Sequence, residues 1–226
     1  MLGQSNMAGR GDLGQVKPIR NPLCYMLRMG RWQPMCEPVN PDRGIFEGLY
    51  RSGVSLAASF ADSYARHFQA PVGLIPCADG GTQISQWLPG QLLYDHAVMQ
   101  TKLAQRTSHL KAILWHQGES DCISDETVEA YWERLLTVIT QLRKDLNAGD
   151  VPVILGELPW QIGEKWKTQG REEKLNAILR QLALEIPNCA IASSQGLTMK
   201  PDGVHFNSEA CREFGKRYFE AYLSVK

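Results

Sequence analysis

The chain predicts an α/β fold, a three-layer α/β/α sandwich around a central five-stranded parallel sheet. Three observations carry that prediction. Short apolar runs without polar alternation recur along the sequence, as strands covered on both faces require. Segments with apolar residues near helical spacing separate them. Each run ends in a loop rich in small and polar residues, the pattern of strand-to-helix connections in wound sheets. At 226 residues the chain is expected to form one domain, spanning 1–226.

In order, Met1-Leu2 is read as the remnant of a first strand. A full strand would need apolar residues ahead of it, so the natural chain is expected to begin several residues earlier. Lys17 to Leu49 reads mainly as loop, with a short hairpin over Leu23–Leu27 and Met29–Trp32. Val54 to Phe68 places Leu56, Ala57, Phe60, Tyr64 and Phe68 on a helical face, and Val72–Pro76 is a second strand. Leu92–Leu103 is a helix, Ala112–Trp115 a strand, and Thr127–Leu146 a long helix with Tyr131, Leu135, Ile139 and Leu142 on one side. Val151–Leu155 is a strand, Glu172–Glu185 a helix and Ala190–Ala192 the fifth strand. Asn207 reads as the N-cap of a last helix reaching about Leu223.

Composition narrows the function. Lys plus Arg and Asp plus Glu both total 24, so no basic field invites nucleic acid or an anionic membrane. No secretory leader opens the sequence, and the six cysteines include no C-x-x-C pair. Both point to reduced thiols and a cytoplasmic setting.

The loops at the carboxyl ends of the five strands hold the chemistry. They carry Ser5; Cys77-Ala78-Asp79-Gly80-Gly81-Thr82; His116-Gln117-Gly118-Glu119-Ser120-Asp121; Gly156-Glu157-Leu158-Pro159-Trp160; and Pro201-Asp202-Gly203-Val204-His205. A serine attacks only when a base takes its proton and donors receive the oxyanion. Asp202, three residues before His205, can accept from one ring nitrogen and leave the other to face Ser5. Taken singly, Asp202-Gly203 is an ordinary turn dipeptide and His205 a surface residue. Gly80-Gly81 lets backbone N–H approach a ligand, and Gln117 offers an amide donor beside the N–H of Ser5. Read alone, those too are a glycine turn and a solvated glutamine. Asp12, Asp42 and Arg43, in the early loop, read as solvated charges.

Together the motifs G-Q-S-N-M-A-G, G-G-T-Q-I-S-Q-W, W-H-Q-G-E-S-D and P-D-G-V-H-F resemble the SGNH hydrolase superfamily. The branch they are similar to is carbohydrate esterase family six, with its sialate O-acetylesterase-like and acetylxylan esterase-like members. The motifs stand in the family's order and span Gly3 to about Leu223. The resemblance implies the SGNH (flavodoxin-like) hydrolase fold and a serine esterase that removes acetyl groups from carbohydrates through an acyl-enzyme. It implies Ser5 as nucleophile, His205 as general base and acid, and Asp202 as its orienter. It implies oxyanion donors at the N–H groups of Ser5 and Gly81, with Gln117 where the wider superfamily has an asparagine. Glu119 belongs to the branch motif and is placed behind these residues as a brace. The substrate implied is a small acetylated carbohydrate, of sialic acid or xylo-oligosaccharide type, and no cofactor or metal is needed. The serine does not sit in a G-x-S-x-G elbow, because Met7 stands where the second glycine would be.

Three other readings have sequence support. His116, Glu119, Asp121, Asp202 and His205 are residue types that could hold a metal in a metal-dependent hydrolase. Cys77 could act as a thiol nucleophile at the same edge. Trp32, Trp87, Trp160 and Trp166 could stack on sugar rings in a carbohydrate-binding protein on a hydrolase scaffold. The sequence leaves the particular sugar and the oligomeric state open.

Overall fold

A computed structural model describes residues 1–41 and 51–226; Asp42 and Arg43 lie outside the described residues. Strands β1 (Leu2–Gly3), β5 (Ile113–His116), β6 (Val153–Gly156) and β7 (Cys189–Ala192) form a parallel sheet in the order β1-β5-β6-β7. Side-chain alternation in the strands sorts the core into two layers. Ile113, Trp115, Val153 and Leu155 pack with α3 (Leu92–Gln105), α5 (Tyr131–Asp145) and α7 (Arg171–Glu185). Leu114, Ile154 and Ala192 face the other way, onto α2 (Leu56–Phe68) and α8 (Ser208–Ser224). These are the expected helical layers on the two faces of a parallel sheet.

The sheet has four parallel strands rather than five. The run expected as its remaining member, β4 (Val72–Leu74), pairs instead with β2 (Cys24–Arg28), which forms a hairpin with β3 (Arg31–Pro34). Beyond β4 the chain returns to the main sheet by backbone bonds. The Met1 amine donates to the Ile75 carbonyl (3.0 Å), Cys77 N–H to Met1 O (3.1 Å) and Asp79 N–H to Gly3 O (2.9 Å). Helix α2 lays Ala57, Ala58, Ala61 and Ala65 against Cys24, Met26 and Leu74, small residues that let it approach the hairpin closely.

The helix expected over Thr127–Leu146 is divided at Ala130 into α4 (Asp125–Glu129) and α5. Neither glycine nor proline marks the break. Tyr131, the first residue after it, is fully buried with its hydroxyl donating to the Gln117 carbonyl (2.7 Å). Asn207 caps α8 as its sequence predicts, accepting from Ala210 N–H (2.8 Å). Two short helices were not anticipated, α1 (Ser5–Ala8) and α6 (Ile162–Trp166). Among the described residues, no helix is long and apolar enough to cross a membrane.

A cavity of about 420 Å³ opens between β4 and β5 beneath Met1, lined by residues of both helical layers, among them Phe60, Tyr64, Ala104 and Leu142. It lies at the amino ends of the strands. Ser5 and its neighbours lie at the carboxyl ends.

Candidate active site

The local backbone places Ser5 without help from a long strand. Gly3 has φ +129°, and a Cβ there would lie 1.9 Å from the His116 carbonyl oxygen. Only glycine lets β1 run this close to β5. Gln4 N–H then donates to that same oxygen (2.9 Å), and α1 starts at Ser5. The serine side chain is thus presented at the sheet's carboxyl edge, with the residue 6% exposed. Ser5 faces His205 just beyond the two-residue β1.

His205 arrives on the turn between β7 and α8. Its Nε2 lies 2.9 Å from Ser5 Oγ, and its Nδ1 lies 2.9 Å from Asp202 Oδ2. The other carboxylate oxygen of Asp202 accepts the N–H groups of Val204 and His205, both at 2.9 Å. One carboxylate therefore folds the turn and fixes the ring. Partial burial disfavours the charged form of Asp202. The two N–H bonds and the imidazole outweigh that and hold the carboxyl below its usual range. A carboxylate ionised at neutral pH stabilises the imidazolium formed when the ring takes a proton.

Gly80 packs beside Ser5. A Cβ on it would sit 3.6 Å from Ser5 Cβ and 2.5 Å from an Arg10 guanidinium nitrogen. Gly81 follows with φ +75° and open space around it. The glycine pair thus leaves a gap at Ser5 that any side chain at residue 80 would close.

Gln117 requires a correction. It was expected to aim its amide at the oxyanion, yet it is fully buried and its donors are spent inside the core. Nε2 donates to the Thr82 carbonyl (2.8 Å) and to Asp121 Oδ2 (2.6 Å), while Oε1 lies 3.1 Å from the Tyr131 hydroxyl. An NH2 group has two hydrogens, and both are used. Gln117 instead ties its own loop to the loop after β4 and to helix α5. Asp121, its partner, also receives the Ile84 N–H (3.0 Å). Burial nevertheless dominates there and pushes its carboxyl up to about 6.

Glu119 does not touch His205. It is fully buried, with Oε1 2.7 Å from Asn6 Nδ2 and 3.3 Å from His116 Nε2. Burial opposes its charge, but the His116 ring and the Asn6 amide prevail and hold the carboxyl below its usual range. Asn6 is the residue that sequence reading passed over. Its signal was an amide side chain between Ser5 and Met7, in a helix of four residues that are all buried.

The competing readings find different geometry. The five candidate metal ligands fall into separate sets: His116 with Glu119, Asp121 with Gln117 and Ile84, and Asp202 with His205. Among the described residues no three His, Cys, Asp or Glu side chains gather as a metal site. The Cys77 thiol is buried in the core. That burial pushes it up to about 11, with the Met1 ammonium pulling the other way. Trp87 is buried edge-on against Trp115, and Trp32 lies against Gly73 on the hairpin, so neither serves a sugar at this edge. Trp160 (54% exposed) and Trp166 (46% exposed) are open, on the loop and short helix after β6. The residue before Trp166, Lys165, packs its stem on Gly203 of the histidine turn, where a Cβ would meet it at 3.0 Å.

Residues 1–224 match the model of a family described as carbohydrate esterase, sialic acid-specific acetylesterase. A probable carbohydrate esterase of Arabidopsis thaliana, At4g34215, is 32% identical over 243 residues, covering 99% of this chain and 89% of that protein. Its X-ray structure superposes with a TM-score of 0.86 at 29% identity, over 99% of this chain and 96% of the other. The structure of NanS gives a TM-score of 0.77 at 18% identity, over 99% and 95% of the two chains. XAC1771, a carbohydrate acetylesterase from Xanthomonas citri, gives 0.71 at 18% identity, over 99% of this chain and 55% of that one. At such identity these last two speak for a shared fold.

Proposed function

Because the chain belongs to the carbohydrate esterase family of sialic acid-specific acetylesterases, and so is a carboxylic ester hydrolase acting on acetylated carbohydrate, we propose that it cleaves O-acetyl esters of sialic acid-type sugars with a Ser5–His205–Asp202 triad. The observation that carries this reading is the continuous contact from Asp202 Oδ2 through the His205 ring to Ser5 Oγ, 2.9 Å at each step. In the first half-reaction Ser5 Oγ attacks the acetyl carbonyl carbon, and His205 Nε2 takes the hydroxyl proton. The same nitrogen returns that proton to the sugar oxygen as the ester bond breaks, leaving acetyl on Ser5. Water then attacks the acyl-enzyme as His205 Nε2 takes one of its protons, and the same nitrogen returns that proton to Ser5 Oγ as the acyl bond breaks and acetate departs. The N–H groups of Ser5 and Gly81 receive the oxyanion. The gap that Gly80 leaves beside Ser5 supports this, as does the spending of Gln117's amide elsewhere. Every proton transfer in this scheme is made by His205, so it calls on no cofactor.

The matching family model, described as a sialic acid-specific acetylesterase, supports a sialic acid-type sugar over a neutral xylo-oligosaccharide. All six cysteines are free thiols, which supports a reducing, cytoplasmic setting. The test is acetate release from O-acetylated sialic acids and from acetylated xylo-oligosaccharides, with Ser5→Ala as the blank. Faster release from sialic acids, absent in Ser5→Ala, is expected. Preference for the xylan fragments would overturn the substrate, and an active Ser5→Ala the triad.

A further inference from the structure

We propose that Asn6 is the positioning residue that sets the distance between Ser5 and His205, and that the buried Glu119 holds Asn6 to that task. This rests on the triad reading above. Asn6 follows the nucleophile directly, and its carboxamide grips the backbone on both sides of the histidine. Nδ2 donates to the Val204 carbonyl (3.1 Å), and Oδ1 accepts the Phe206 N–H (3.1 Å). Val204 and Phe206 are the neighbours of His205 in sequence. A single side chain one residue from Ser5 thus clamps the segment carrying its base, across 200 residues of chain.

The amide can make this clamp only in one orientation, since donor and acceptor ends face different groups. Glu119 selects that orientation. Its Oε1 takes the second hydrogen of Asn6 Nδ2 at 2.7 Å, so a flipped amide would set two oxygens against each other. Holding a carboxylate there needs compensation, because an unpaired buried charge costs several kcal/mol. The Asn6 amide supplies part of it at Oε1, and the His116 ring packs alongside, with Nε2 3.3 Å from Glu119 but making no hydrogen bond to it, and Nδ1 3.2 Å from the hydroxyl of Tyr218. That hydroxyl is anchored in turn on the Trp115 carbonyl (2.8 Å). The series Tyr218, His116, Glu119, Asn6 therefore runs from helix α8 and strand β5 to both loops that carry the reacting groups. None of its members touches Ser5 Oγ or the His205 ring in the hydrogen-bond network described, so the effect is on geometry and belongs to kcat.

The test compares Asn6→Ala, Glu119→Leu, Glu119→Gln and the double variant Asn6→Ala/Glu119→Leu, with thermal melts beside steady-state kinetics on an acetyl ester. Misplacing a reacting group by about 1 Å costs on the order of a hundredfold in rate. Asn6→Ala and Glu119→Leu are each expected to lower kcat by about that factor with KM unchanged. Glu119→Gln keeps an oxygen for Asn6 and should recover most of the loss. The double variant should be no slower than the slower single one, because both act through one clamp. Where Glu119→Leu melts early, the comparison of Asn6→Ala with Glu119→Gln decides. Unimpaired kcat in Asn6→Ala, losses that multiply in the double variant, or Glu119→Gln as slow as Asn6→Ala would each overturn the proposal. An inactive Ser5→Ala beside an unimpaired Asn6→Ala would bring down the clamp alone. An active Ser5→Ala would bring down the triad and the clamp with it.

Discussion

At the scale of single residues, Asp202 has two duties that one substitution separates. In Asp202→Asn, Oδ1 can still accept from Val204 and His205, so the turn should hold. The new NH2 group, however, would face His205 Nδ1, 2.9 Å from the present Oδ2, and favour the tautomer that puts a hydrogen on Nε2. That nitrogen could then no longer take the serine proton. The expected result is a loss of about 10²–10⁴ in kcat with an unchanged melting curve; a variant within a few-fold of wild type would show that Asp202 only shapes the turn. Asp121 is a different case, buried and unconnected to the triad. Its folded pKa, about 6 against the usual 3.8, is raised, so its contribution to stability is complete below pH 3.8 and lost as pH climbs through 6. At about 1.4 kcal/mol per pH unit the loss is about 3 kcal/mol. Asp121→Asn keeps an oxygen for Ile84 N–H and removes the titration. Urea melts should show the variant gaining on the wild type by up to that amount between pH 4 and 7, and parallel curves would refute it.

Among the elements, those fixed by nearby residues were readable in the sequence and those fixed by distant ones were not. The α8 start is local: Asn207 accepts from Ala210 N–H, three residues on. Replacing it by alanine should cost about 1 kcal/mol, read as a lowered urea midpoint with unchanged slope; no change would mean water caps the helix equally well. Asp202 and His205 were visible for the same reason, since three residues bring carboxylate to ring. The partner of β4 was invisible, because Val72–Leu74 is equally apolar whether it joins β2 or the central sheet. The break at Ala130 was hidden too: no glycine or proline marks it, and the contact beside it, from the Tyr131 hydroxyl to the Gln117 carbonyl, exists only in the folded chain. Gln117 misled for a related reason. Its motif put it at the right edge of the sheet, but the direction of its side chain depends on Thr82, Asp121 and Tyr131, which only the packed molecule brings together.

Over the whole molecule, reactivity and packing defects occupy opposite ends of the sheet. Ser5 and His205, the proposed reacting groups, sit beyond the carboxyl ends of β1 and β7, on loops pinned by buried polar contacts. The cavity of about 420 Å³ sits at the amino ends, between β4 and β5. Helix α3 meets it with Ala97, Thr101 and Ala104, one small face at helical spacing. The cavity is partly open to solvent, and filling space against its apolar lining commonly returns about 0.5–2 kcal/mol. Ala104→Met suits the site because Ala104 is buried, methionine is a good helix former, and its unbranched chain adapts to an irregular space. A gain of 1 kcal/mol in a chain of this size corresponds to about 2–4 °C in Tm. The substitution lies in a different helix and at the opposite sheet edge from Ser5, so its effect on kcat should be nil and its stability gain additive with the loss in Asn207→Ala. A higher Tm together with a changed kcat would mean that the cavity and the catalytic edge are coupled through β1, the two-residue strand that leads directly into Ser5.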